Sequence, residues 1–161
     1  MQYCDYFLFL THLLINNLNK SKITLGRTEI ITFPDLGIEN ITAKIDTGAY
    51  STAIHAHKFW TETKDNVEEL YFQLLDPSKE EFVNRIYKTA NFYKKKVRSS
   101  NGRMEERFIL KTKIRLGGKL TTTHLSLTNR EKMRYPVLIG RKVLAKGYLV
   151  DVSIKNTRET K

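Results

Sequence analysis

Cysteine is nearly absent from this chain: Cys4 stands alone, which excludes an intramolecular disulfide framework and any zinc cluster built on thiolates. A reducing compartment, and with it a cytoplasmic setting, is the expectation. Long apolar runs are lacking as well. Residues 6–15 are apolar but fall well short of the roughly 20 residues that a spanning helix needs, so no membrane span is expected. A basic leader region and a small-residue cleavage site are also missing there, so residues 1–21 read as an apolar N-terminal extension rather than a signal peptide. Only three prolines punctuate the chain, and no internal repeat or low-complexity tract divides it. One domain is expected over residues 22–154, followed by a polar tail at 155–161. Acidic residues are the remaining shortage: 17 Asp and Glu stand against 28 Lys and Arg, a formal net charge of +11. Such a surface attracts polyanions.

What is present reads as mostly β. Residues 22–26 and 29–33 form two short strands, the second ended by Pro34-Asp35-Leu36-Gly37. Residues 41–46 alternate and then break at Gly48, which predicts a strand delivering Asp46 into a turn. Residues 67–75 and 81–87 flank the turn signal Asp76-Pro77-Ser78-Lys79 and predict a hairpin. Asn101-Gly102 marks a second tight turn, before a long strand at 107–116 that runs into Gly117-Gly118. Strands are also expected at 119–128 and 148–154, and a short helix at 141–145 after a glycine. Hydrophobic residues make up 40% of the chain, enough to bury a real core.

A carboxylate at the end of a buried strand, followed by Thr47 and Gly48, has a definite use. Gly48 permits the sharp turn, and the Thr47 hydroxyl is placed to brace it. Alone, Asp-Thr-Gly is common. Its flanks add weight: an apolar strand precedes it, Ala49 and Thr52 follow, and far downstream Tyr135-Pro136-Val137-Leu138-Ile139-Gly140-Arg141 is an apolar strand ending in Gly-Arg. Together these resemble the two signatures of the retropepsin fold. More closely, the run from Ala43 to Ala56, Val97-Arg98-Ser99-Ser100-Asn101-Gly102, Leu116-Gly117-Gly118 and Leu127-Thr128-Asn129-Arg130 resemble the bacterial family of retropepsin-like ATP-dependent zinc proteases.

That resemblance implies a mainly β fold, a closed acid-protease β-barrel with one short helix and one half-site per chain. It implies an aspartic-type peptidase in which Asp46, with Thr47 and Gly48 shaping the turn, is completed by the Asp46 of a second copy. A homodimer is then a requirement of the chemistry. Members of the family are often associated with the ligase that adds glutamates to a small-subunit ribosomal protein, so the expected substrate is an acidic peptide, such as a glutamylated ribosomal protein. One departure stands out: retropepsins commonly carry an acidic residue where Tyr50 stands, which leaves Arg141 needing another partner or serving the substrate.

Other residues bear on the same site. Alternation puts Lys44 on the face of Asp46, where it either lines the cleft or snorkels to solvent. Between Lys94 and Lys119, ten cations face only Glu105 and Glu106. If the Ser99-Ser100-Asn101-Gly102 hairpin is a flap, Arg98, Ser99, Ser100 and Arg103 join Lys44, Tyr50 and Arg141 as candidate substrate contacts. The competing use of this basic stretch is RNA, with Phe92, Tyr93 and Phe108 for stacking, although no recognised nucleic-acid motif is present. The alternative to an enzyme is therefore a catalytically silent module that binds an acidic tail or RNA. No cofactor is expected: a glycine-rich phosphate loop and His-Glu-x-x-His are both missing, and His55-x-His57, sharing a strand face by alternation, is only a weak metal pair.

Overall fold

Alternation decides the central strand. In β3 (Ile38–Ile45) the side chains of Ile41, Ala43 and Ile45 are buried while Thr42 and Lys44 are exposed, the period-2 pattern of a strand with one face on a core. The computed structural model describes residues 22–80, 82–98, 102 and 104–157. The expected extension at 1–21, the expected turn at Ser99, Ser100 and Asn101, and Arg103 lie outside them. The other strands are β1 (Ile23–Leu25), β2 (Thr28–Phe33), β4 (Thr52–Lys64), β5 (Val67–Leu74), β6 (Ile86–Thr89), β7 (Phe92–Arg98), β8 (Met104–Leu116), β9 (Lys119–Thr128), β10 (Val137–Ile139) and β11 (Tyr148–Val150). A single turn of helix, α1 (Arg141–Leu144), follows β10.

The main sheet runs in the order β10-β3-β2-β8-β9-β4-β5-β6, and β10 also pairs with β4. The sheet thereby closes into a ring, with β10 parallel to β3 and antiparallel to β4. Closure gives β10, β3, β2, β8, β9 and β4 a partner on both sides and, among the described residues, leaves β6 and β7 as edge strands. Ile31, Phe33, Ile54, Ile114, Leu125, Leu127 and Ile139 fill its interior, each fully buried. The chain is thus mainly β with one short helix.

Two hairpin turns have matching chemistry. Gly117 and Gly118 join β8 to β9 with φ of 55° and 79°, and Asp65 and Asn66 join β4 to β5 with φ of 50° and 61°. Both left-handed pairs belong to the mirror-image turns that suit the twist of a two-residue hairpin. The Asp65-Asn66 turn makes β4 far longer than its apolar stretch implies. Its outer half forms an exposed ribbon with β5, where Trp60 stacks on Tyr71 at 5.5 Å.

Some expected boundaries shift. The partner of β5 begins at Ile86 rather than at 81, because Tyr87 sets the pairing: it stacks on Phe72 and donates a 2.8 Å hydrogen bond to the Leu36 carbonyl. Strand β11 ends at Val150, where Asp151 starts a turn. The expected domain end after residue 154 is not the end of packing. Arg27 and Thr28 donate backbone hydrogen bonds to the carbonyls of Ile154 and Lys155, and Asn156 is buried. Glu29, 2% exposed, gathers this segment by accepting from the Gly26 N–H and from the N–H and hydroxyl of Thr157.

Candidate active site

Strand β3 delivers Asp46 to its position, and β10 fixes it there. The Asp46 N–H donates to the Ile139 carbonyl at 3.0 Å, continuing the parallel ladder in which Ile139 faces Ile45. Beyond it, the carboxylate folds back on its own turn: Oδ1 accepts from the N–H of Gly48 at 3.0 Å and of Ala49 at 3.1 Å. These two bonds orient the carboxylate on its turn.

The downstream Gly-Arg signature braces the turn. A Cβ on Gly140 would lie 2.6 Å from the Ser51 carbonyl oxygen and 2.9 Å from the Ser51 nitrogen, so only glycine permits this approach. The N–H of Arg141 then donates to the Ala49 carbonyl at 2.8 Å and that of Lys142 to the Tyr50 carbonyl at 3.1 Å. The first N–H groups of a helix have no partner within it, and here the aspartate turn supplies one. Behind this contact the buried Thr52 hydroxyl accepts from the Gly140 N–H at 3.4 Å. Thr52 therefore braces the loop from within, while Thr47 and Gly48 are exposed at its tip.

A cleft of about 950 Å³ opens over the turn. Lys44 and Asp46 both line it, as do Tyr50, Arg98 and Arg141. Lys95 of the β7–β8 hairpin reaches over the Tyr50 ring, 5.8 Å from its centroid, so the hairpin and the aspartate turn meet across the cleft. The last pair of this hairpin's register is Arg98↔Met104, and the candidates Ser99, Ser100 and Arg103 lie outside the described residues. Among the described residues, Asp46 is the only carboxylate that lines the cleft.

Arg107, one of the cations of the basic stretch, and Arg130, the end of the Leu127-Thr128-Asn129-Arg130 motif, also line the cleft, as does Arg134, to which sequence reasoning assigns no role. The three come from two separated segments, strand β8 and the loop between β9 and β10. Burial first, and then the neighbouring Arg107, hold Arg130 below its ordinary pKa, and the negative charge of Asp46 opposes both.

The weak metal pair is not brought together. A bulge between Ala56 and Lys58 breaks the alternation of β4, leaving His55 buried and His57 exposed. His55 is already engaged elsewhere, since its Nδ1 accepts the Arg130 N–H at 2.9 Å, which requires a neutral ring. Burial holds its pKa below 6.5, the first of several causes. No group of three or more His, Cys, Asp or Glu among the described residues is placed to hold a metal ion, so the donors present do not fit a zinc site. No helix among the described residues is long and apolar enough to cross a membrane.

An aspartate turn on a closed mainly β sheet, locked by a Gly-Arg strand end, defines the retropepsin-like class. The model of the family described as RimB-like, retropepsin-like aspartic endopeptidase RimB, matches residues 24–161, and the chain belongs to this family. It is 30% identical over 136 residues to the probable alpha-L-glutamate ligase of Shewanella halifaxensis and 31% identical over 138 residues to that of Shewanella pealeana. These alignments cover 84% of this chain but only 30% of either relative, so the chain spans less than a third of their length. Among solved structures it is similar to a protein of unknown function (DUF785) from Legionella pneumophila, with a TM-score of 0.67 and 27% identity over 85% of this chain and 98% of that one.

Proposed function

We propose that this protein is an aspartic-type peptidase or amidase acting on acidic peptides, with a water activated between the Asp46 carboxylates of a homodimer. The observation that carries this reading is the setting of Asp46: a carboxylate oriented by two N–H groups and, among the described residues, the only one in a cleft lined by several cations. Two carboxylates held face to face cannot both ionise cheaply and so share one proton. The charged member then takes a proton from water as it attacks, while the neutral one polarises the amide carbonyl. One chain supplies one such carboxylate, and the exposure of Thr47 and Gly48 leaves the turn free to meet a two-fold related copy.

The substrate follows from charge. Lys44, Arg98, Arg130 and Arg141 in the cleft favour glutamate or aspartate side chains over neutral ones. The similarity to glutamate ligases supports a chain of added glutamates, such as that on a ribosomal protein, as the natural target. The test is hydrolysis of oligoglutamylated peptides by wild type and by Asp46→Asn, with and without a chelator and ATP. Cleavage that needs Asp46 and neither additive is the expected result. Peptide binding by a verified wild-type dimer with no cleavage would instead favour a silent module for acidic tails.

A further inference from the structure

Arg130 differs from the other cations of the cleft in how it is held. Its backbone N–H is bound by His55 Nδ1, and its Nε donates to the Tyr135 carbonyl at 3.2 Å, so both ends of the residue are fixed. The side chain is half-buried, whereas Lys44, Lys95, Lys96, Arg98 and Arg141 are exposed. Taking a guanidinium out of water is costly unless a carboxylate compensates it. Yet the ion pairs among the described residues are Lys88–Glu69, Lys94–Glu68 and Arg107–Glu105, and none involves Arg130. Arg107, the cation whose field Arg130 feels, is already engaged by Glu105 at 2.9 Å. Asp46 acts on Arg130 through its field, but its Oδ1 is committed to its own turn. With Nε tied back to Tyr135, the outer edge of the guanidinium keeps the paired N–H groups that fit a carboxylate in a two-bond fork.

Resting on the peptidase reading above, we infer that Arg130 is the specificity-determining residue of the cleft, receiving the carboxylate of the one substrate side chain that lies beside the scissile bond. The exposed cations at the rim grip the flanking acidic residues without selecting among them. The two tiers differ in salt response. Exposed charges are screened at about 10 Å or less at 0.1 M salt, and partly buried pairs much less. An acidic run is thus gathered by the rim and cut in a register set by Arg130.

The test uses oligoglutamate peptides in which one glutamate at a time is replaced by glutamine, with kcat/KM measured at low and high salt. Wild type is expected to show a single position where glutamine costs about tenfold or more at both salt concentrations, because a fixed hydrogen-bonding site rejects a mismatched partner strongly. Elsewhere the cost is smaller and fades with salt. Arg130→Gln is expected to lose the discrimination at that position only, and Arg130→Lys to keep part of it. General damage to the loop would lower all peptides together, and Arg130→Lys keeps the test open if Arg130→Gln melts early. Discrimination that survives in Arg130→Gln, or a wild type with no such position, overturns the inference. If wild type cuts nothing, the peptidase reading fails separately; binding of the same peptides to the Asp46→Asn protein, with and without Arg130→Gln, then decides the role of Arg130 by the same pattern.

Discussion

Exchanging Asp46 for asparagine keeps the oxygen that Gly48 and Ala49 hold and removes only the charge. The expected outcome is a folded protein that still binds acidic peptide, with hydrolysis reduced about 10²–10⁴-fold, the usual contribution of a positioned acid or base. Gly140 is the second residue on which the site depends. Alanine there would press its Cβ into the Ser51 backbone, at a stability cost of about 1–3 kcal/mol that chemical denaturation measures, with activity lost because the turn moves. His55 carries the pH dependence. Its lowered pKa means that its contribution is fully present above the ordinary value of 6.5 and is lost as pH falls from there through the lowered value, when a protonated Nδ1 would confront the Arg130 N–H. His124, lowered by burial and by Lys142, Lys111 and Lys146, adds in the same direction. Melting temperature should therefore drop between pH 7 and 5, and His55→Asn, whose amide oxygen can take the place of Nδ1, should flatten part of that drop. Asp46 and Gly140-Arg141 are legible in the sequence because each lies in a contiguous motif whose spacing is itself the geometry. Arg130 stands in a matched motif too, but the role proposed for it comes from burial, from Tyr135 in its own loop, and from Asp46 and Arg107, which only the closed sheet brings near.

Among the elements, β3, β8 and β9 differ from expectation by a few residues at most: burial alternates over residues 41–45 of β3 and 110–116 of β8, and the Gly117-Gly118 turn marks where β9 begins. The long β4 is different. Its inner half is buried and its outer half exposed, with a bulge between, so no single period runs through it. That bulge is also why His55 and His57 do not share a face. The Asp65-Asn66 turn is readable chemistry, masked by the charged residues around it. At the other end of the domain, Glu29 ties the β1–β2 turn to residues that polarity alone marks as a loose tail. Glu29→Gln exchanges a buried acceptor of three hydrogen bonds for a neutral amide, and a loss of about 1–3 kcal/mol is expected by urea denaturation. The β7–β8 hairpin carries its cations over Tyr50, and Tyr50→Ala is expected to raise KM for acidic peptides several-fold while leaving kcat nearly unchanged, since the hairpin grips rather than reacts.

At the scale of the whole molecule, the excess positive charge and the single aspartate of the cleft are two halves of one account. On the proposed reading a formal charge of +11 would draw acidic chains to the protein, and binding should weaken steeply with salt. On the same reading one chain holds half a site, and the chemistry would depend on assembly. The measurement that tests this most directly is a mixing experiment on an oligoglutamylated peptide: Asp46→Asn chains are exchanged into wild type at constant total concentration and hydrolysis is followed. If two Asp46 carboxylates form each site, activity falls as the square of the wild-type fraction. A fall in simple proportion to that fraction, with mixed dimers verified, would contradict the shared site.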